Sequence, residues 1–310
     1  MADQGIVILC PGQGAQAVGM GRAWAEASAA ARVVFDEADR ILGDSLGMPL
    51  SELCFGGPAE RLNQTDASQP AIFVCSVASL RGLAERGEAL VEHASAAAGL
   101  SLGEYTALHL AGSLSFEDGL RLVALRGRVM QEACDEQPGG MVALVGADPD
   151  QARAVCETAG QDQVLVPANF NAPGQIVLSG HSEACARAVQ AAADVGLRAS
   201  PLKVAGAFHS PLMQSAARKM ADALAAAELR PLAFDVWSNV TARPHEAGNA
   251  ELLRQRLVEQ IVSPVQWSQT CIGLVAAGDH AFHELAPGSV LKGLMRRIER
   301  QARVLSHDEP

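Results

Sequence analysis

Short apolar blocks alternate along this chain with longer stretches of helical periodicity, and that alternation predicts a mixed α/β protein. Residues 5–10 form a compact apolar strand leading into Pro11-Gly12-Gln13-Gly14. Residues 20–42 carry a helical pattern, 56–70 read as loop and short helix, and 70–86, preceded by Gln69, read as one long apolar helix. The small residues of 94–98 suit a tightly packed central strand, after which 102–111 reads as a helix stopped by Gly112. Ser115-Phe116-Glu117-Asp118 has the form of a capping box and opens a helix running to about Cys134.

Gln137-Pro138-Gly139-Gly140 breaks this rhythm. Strands are predicted at 141–145, 164–168, 175–179 and 198–204, with helices at 149–159 and 182–195 and a loop at 169–174. The β-α-β-β-α-β order is the ferredoxin-like, split βαβ pattern. Residues 135–204 are therefore expected to form a small domain inserted into a larger one built from 1–134 and 205–310. Beyond it, Ser210 and Pro211 have the form of an N-cap and a first-turn proline, placing His209 just before a helix. Ser263-Pro264 begins another helix, 279–285 reads as a last central strand, and 307–310 as a frayed end.

Composition narrows the classes. The 310 residues are 49% hydrophobic and 19% charged, ordinary for a globular chain long enough for one large domain and a smaller one. No apolar run approaches membrane-spanning length, and the apolar start at 6–10 is too short, and lacks the basic flank, for a signal peptide. Seven cysteines without paired spacing argue for reduced thiols in the cytoplasm. His280 and His283 are three apart with no evident third ligand, so no metal is expected. A net charge of −11 speaks against nucleic acid. Lys292, Arg296, Arg297, Arg300 and Arg303 nonetheless form a local basic cluster, either a solvated helix face or a docking patch for an acidic partner.

The candidate chemistry centres on Gly99-Leu100-Ser101-Leu102-Gly103. A G-x-S-x-G between strand and helix is the form of a nucleophile elbow, in which glycines leave room for a sharply turned serine. It implies an α/β-hydrolase-like large domain with a parallel sheet, and leaves the Leu102 N–H free for an oxyanion. Gly12-x-Gly14-x-x-Ala17 matches a dinucleotide fingerprint only formally, because Pro11 interrupts the strand end and no acidic second strand follows. That loop better serves to bring backbone and Gln13 close to a reactive centre. Arg121 and Arg128 have Glu117 and Glu132 four residues away, but Arg126 projects from the stripe Leu122, Val129 and Met130 with no local acid. A buried guanidinium needs an anion, either a distant Asp or Glu or the carboxylate of a substrate. His209, at a helix start, should stay neutral and able to accept a proton.

Several motifs occur together and in order: Pro11-Gly12-Gln13-Gly14, Ser68-Gln69-Pro70-Ala71, the elbow with Glu104-Tyr105, Arg126-Gly127, Asn169-Phe170-Asn171-Ala172-Pro173-Gly174-Gln175, Phe208-His209-Ser210 and Pro264-Val265-Gln266-Trp267. From about residue 5 to 300 the chain resembles the malonyl-CoA:acyl-carrier-protein transacylases and the related acyltransferase domains of polyketide synthases. The resemblance implies ping-pong transfer of malonyl from malonyl-CoA to the phosphopantetheine thiol of an acidic acyl carrier protein, with no bound cofactor. It makes Ser101 the nucleophile and His209 the base, oriented by a Gln266 backbone carbonyl, with Gln13 and Leu102 N–H groups as the oxyanion hole. Arg126 would hold the malonyl carboxylate, and Gln69, Asn171 and Phe208 would line the substrate site, Phe208 disfavouring an α-methyl branch. Fatty-acid synthesis is the expected pathway. A polyketide acyltransferase, an acyl hydrolase on the same scaffold and a non-catalytic docking subunit are the alternatives. Two departures stand out: Leu100 where many relatives carry His, and Ala286-Pro287-Gly288 for Gly-Pro-Gly.

Overall fold

The computed structural model describes residues 5–278 and 280–310. Its strands are β1 (Gly5–Cys10), β2 (Ala94–Gly99), β3 (Gly139–Val145), β4 (Leu165–Ala172), β5 (Gln175–His181), β6 (Arg198–Pro201), β7 (Asp235–Trp237), β8 (His280–Leu285) and β9 (Val304–His307). They form a parallel sheet ordered β7-β2-β1-β8-β9 and a separate antiparallel sheet ordered β4-β5-β3-β6. The chain is thus α/β with two distinct sheets.

Strand β1 is covered on both faces, which is why Val7, Ile8, Leu9 and Cys10 run apolar without alternation. Its neighbour β2 uses alanines, and Cys10 pairs with Gly99, so both strands end at one level. The loops that follow them, one with Gln13 and one with Ser101, therefore emerge side by side at the carboxyl edge of the sheet. Crevices of open parallel sheets form at this edge. Helices Thr65–Glu85 and Phe116–Glu136 lie against one another in the main core. In the antiparallel sheet, Val142, Leu144, Ile176 and Leu178 face helices Pro149–Gly160 and Ser182–Asp194, forming a core of their own. Met141 and Val177, of opposite parity, join the main core. That parity turns the second face of the sheet toward the crevice.

The structure departs from the sequence expectations at several places. The 20–42 helix is two, Arg22–Ala27 and Ala29–Leu42, because Ser28 leaves the helical region and its hydroxyl accepts from the Ala31 N–H. The helix expected from residue 70 begins at Thr65 and carries Pro70 inside it, so Gln69 is helical and buried. Most of the expected 169–174 loop belongs to β4, which bulges between Pro167 and Asn169 and again between Phe170 and Ala172. The helix expected to end near Cys134 runs to Glu136, across the expected domain boundary. Strand β7 and helix Ala250–Val262 had no counterpart in the sequence reading.

The end of the chain is ordered, not frayed. His307 ends β9 and its carbonyl accepts from Trp24 Nε1 at 2.9 Å, while Asp308 Oδ1 accepts the Gly288 N–H at 2.6 Å. The last central strand starts at His280; Asp279, which began it in the sequence reading, lies outside the described residues. After β8, the buried Glu284 carboxylate accepts the N–H groups of Leu291 and Lys292, capping helix Val290–Ile298. Burial pushes this carboxyl up to about 7 against those two donors.

Candidate active site

Ser101 occupies the sharp turn between β2 and the helix Gly103–Leu110, at φ 54°. The flanking glycines answer to space. A Cβ on Gly99 would lie 1.8 Å from the Gly103 carbonyl carbon, and one on Gly103 would lie 2.1 Å from the Cys10 carbonyl oxygen. Gly12 has the same role from the other loop, where a Cβ would meet the Leu100 carbonyl oxygen at 2.1 Å. The Gly12-x-Gly14 stretch thus packs against the elbow. Asn239 braces the turn: its Oδ1 accepts the Ser101 N–H at 2.6 Å and its Nδ2 donates to the Gly99 carbonyl at 2.7 Å.

Ser101 Oγ stands 2.8 Å from His209 Nε2. His209 Nδ1 lies 2.8 Å from the Gln260 backbone carbonyl, an acceptor, so Nδ1 carries the proton and Nε2 is free to take one. This corrects the expectation for Gln266. Gln266 precedes helix Trp267–Ala276, and its N–H donates to the Asn239 carbonyl. The carbonyl that reaches His209 comes instead from the last turn of helix Ala250–Val262, where C=O groups lack partners within the helix. Burial, and then the Arg126 charge, push His209 down to about 4. Its neutrality comes from these two causes, while the element directly after it is a short 3₁₀ turn, Pro211–Met213.

Arg126 is 1% exposed. Its Nη1 donates to Gln69 Oε1 at 2.7 Å, and its Nη2 to Gln260 Oε1 at 2.9 Å and Ser101 Oγ at 3.1 Å. The guanidinium lies over the Tyr105 ring, 5.6 Å from its centre. No carboxylate forms an ion pair with it among the described residues, and its Nε has no partner. Arg121 and Arg128, by contrast, pair with Glu117 at 2.7 Å and Glu132 at 3.8 Å on the surface. No acid therefore touches Arg126 directly, and its side chain lines the crevice. Burial lowers its pKa from the ordinary arginine value.

The crevice is a cavity of about 760 Å³ between the parallel-sheet body and the antiparallel sheet. Ser101, His209, Arg126, Gln13, Asn171 and Phe208 all line it. Neither the Gln13 nor the Leu102 backbone N–H has an acceptor among the described residues, so both remain available as donors. The Asn171 Oδ1 is buried without a partner. Gln69 stands behind the guanidinium as its acceptor and does not line the cavity. Leu100 lines the cavity next to the serine, and the Ala286-Pro287-Gly288 turn is held by Ser76 and Ser79 hydroxyls.

Two residues that hold this site have no role in the sequence analysis, Asn239 and Gln260. Gln260 had a signal. It follows Leu253 and Leu257 at helical spacing on a buried stripe, the same pattern that singled out Arg126. Asn239 lies after a three-residue strand and had none.

A family profile described as "Acyl transferase domain" matches residues 7–307. The malonyl CoA-acyl carrier protein transacylases of Bacillus subtilis (strain 168) and Escherichia coli (strain K12) are 38% and 40% identical, over 98% and 97% of this chain and 94% of each relative. The solved malonyl-CoA:acyl carrier protein transacylase of Xanthomonas oryzae pv. oryzae is 40% identical with a TM-score of 0.92, covering 100% of this chain and 96% of that one. A malonyl-transacylase solved in complex with its type II PKS acyl-carrier protein is 37% identical with a TM-score of 0.92, over 99% and 96%.

Proposed function

We propose, from the premise that this chain belongs to the acyl transferase domain family and within it to the malonyl-CoA:acyl carrier protein transacylases, that it moves malonyl from coenzyme A to the phosphopantetheine thiol of an acyl carrier protein in fatty-acid synthesis. The observation that carries this reading is Arg126: a buried cation held only by neutral acceptors, 3.1 Å from the nucleophile. A substrate carboxylate supplies the direct anionic partner that the guanidinium lacks.

The transfer proceeds by a ping-pong route. Ser101 Oγ attacks the thioester carbonyl carbon as its proton passes to His209 Nε2. The oxyanion is held by the Leu102 and Gln13 N–H groups. Collapse breaks the C–S bond, and the His209 proton leaves on the coenzyme A sulfur. In the second half the pantetheine thiol gives its proton to His209 and its sulfur attacks the malonyl-serine ester. The C–O bond breaks and the proton returns to Ser101. These steps use no resident cofactor, because the pantetheine arm arrives on the partner. Phe208, beside the base, crowds an α-methyl branch, and Asn171 offers its free oxygen to the substrate.

The same reading places an α/β-hydrolase-like body around the elbow and a ferredoxin-like lobe over 135–204. The strand order β4-β5-β3-β6 and the separate core of the lobe support it. Arg296 and Arg297, on the helix whose Val290 and Leu294 line the catalytic cavity, and Arg300, just beyond its end, border a second cavity beside the Pro173 turn. This face suits an acidic carrier protein. The seven cysteines are unpaired and buried, in keeping with a reducing cytoplasm, and no helix among the described residues is long and apolar enough to cross a membrane.

Intact-protein mass after brief exposure to malonyl-CoA tests the reading. A malonyl adduct is expected on Ser101, discharged by holo carrier protein. Arg126→Ala is expected to lower malonyl loading about tenfold or more relative to acetyl loading, as the loss of a charge-assisted pair implies. Release of free malonate without an acceptor would make the protein a hydrolase, and absence of any reaction would end both enzymatic readings.

A further inference from the structure

Beneath the nucleophile lies a buried carboxylate that neither half-reaction calls on. Glu104 is the second residue of the helix after the elbow and is fully buried. His245 Nε2 stands 2.7 Å from its Oε1; its Oε2 accepts from Gln260 Nε2 at 2.6 Å and from the Asn239 N–H at 3.0 Å. The Gln260 amide can stand only one way round. Its Nε2 faces two pure acceptors, the Glu104 carboxylate and the Ser101 carbonyl at 3.0 Å. Its Oε1 faces Arg126 Nη2 at 2.9 Å, a pure donor. A single amide separates the buried anion from the buried cation.

That separation has a chemical consequence. A carboxylate bound directly to Arg126 would occupy the guanidinium edge that a substrate carboxylate needs, and the acyl group would have to displace it. One amide away, the same charge offsets the burial of the guanidinium and leaves that edge to neutral acceptors. Donation to Glu104 also polarises the Gln260 amide and strengthens its oxygen as the acceptor for Arg126. We propose that Glu104 is a positioning residue for acyl-group selectivity: through the Gln260 side-chain amide it holds Arg126 in the pose that receives a carboxylate-bearing acyl group. The inference rests on the malonyl-transfer reading above.

Three variants test it, each assayed for Ser101 loading rate and KM with malonyl-CoA and acetyl-CoA. Gln260→Met keeps the backbone carbonyl that holds His209 but removes the amide. It is expected to lower the malonyl-over-acetyl preference about tenfold, mainly through the malonyl KM. Glu104→Leu keeps bulk without an acceptor and is expected to do the same. Glu104→Gln restores the hydrogen bonds, because the other His245 tautomer can accept from the new amide, and is expected to hold the preference within about threefold. Equal loss with both donors in Gln260→Met and Glu104→Leu would mark a merely structural role and overturn the proposal. Should Glu104→Leu fail to fold, Gln260→Met decides alone. Arg126→Ala separates the two readings. An unchanged preference there ends the clamp itself, whereas a collapse there with none in Gln260→Met ends only the role of Glu104.

Discussion

The parallel-sheet body and the antiparallel lobe meet at one cavity but are built to different tolerances. Around Ser101 the backbone is confined on every side: two glycines in near contact with carbonyl groups, Asn239 bridging both ends of the turn, Gln260 bonded to His209, Ser101 and Arg126. The lobe has a core of its own and reaches the cavity through side chains of three strands, Asn171 among them on the strand that bulges twice. Its asparagine there keeps an unsatisfied oxygen. The contrast teaches a division of labour. The body fixes the atoms around Ser101 and His209, and the lobe shapes the rest of the cavity.

Substitutions can break that contrast, beginning with the largest effect. Gly99→Ala forces a methyl into the backbone of the elbow and is expected to destabilise by more than about 4 kcal/mol or to prevent folding. In the lobe, Gly140→Ala meets only Cys185 Sγ at 4.0 Å and is expected to stay within about 1 kcal/mol, both read by denaturant melts. His209→Ala is expected to slow Ser101 loading by about 10²–10⁴-fold without removing the cavity, measured by single-turnover mass shift.

The depressed pKa of His209 sharpens the comparison through pH. Loading is expected to stay flat below pH 6.5 and to fall only near pH 4, where the imidazole gains its proton. The stability sign follows from the same shift. The unfolded chain takes up this proton at about 6.5 and the folded one only at about 4, so stability is full above 6.5, declines as pH falls from there to 4, and levels off below. Wild type is expected to lose about 3 kcal/mol more than His209→Ala between pH 7 and 4. The smallest effect belongs to the lobe. Asn171→Ala is expected to raise the malonyl-CoA KM several-fold with loading at saturation unchanged. Its melting temperature should not fall, since the oxygen it removes has no partner.

Local signals made much of this protein legible. The elbow glycines, the capping box at Ser115 and the unpaired Arg126 are each read within four residues of chain. The Ser115 hydroxyl accepts the Asp118 N–H at 3.0 Å, as that spacing requires. Helix breaks were harder: Ser28 splits one helix by capping the next, and Pro70 sits within another because packing outweighs local preference.

By itself the sequence determined that a serine would stand between strand and helix, that a guanidinium would project from an apolar stripe without a local acid, and that two patterns of strand and helix would follow one another. Tertiary structure alone decided which carbonyl orients His209, which residue braces the elbow, and what stands between Arg126 and Glu104. Those partners lie 51, 138 and 134 residues apart along the chain. Periodicity and capping act over a few residues, because they come from the geometry of one helix or strand. A hydrogen bond between distant residues depends on where two elements end relative to each other. The resemblance points to Gln266, and only the packing of a helix's last turn brings the Gln260 carbonyl to the imidazole instead.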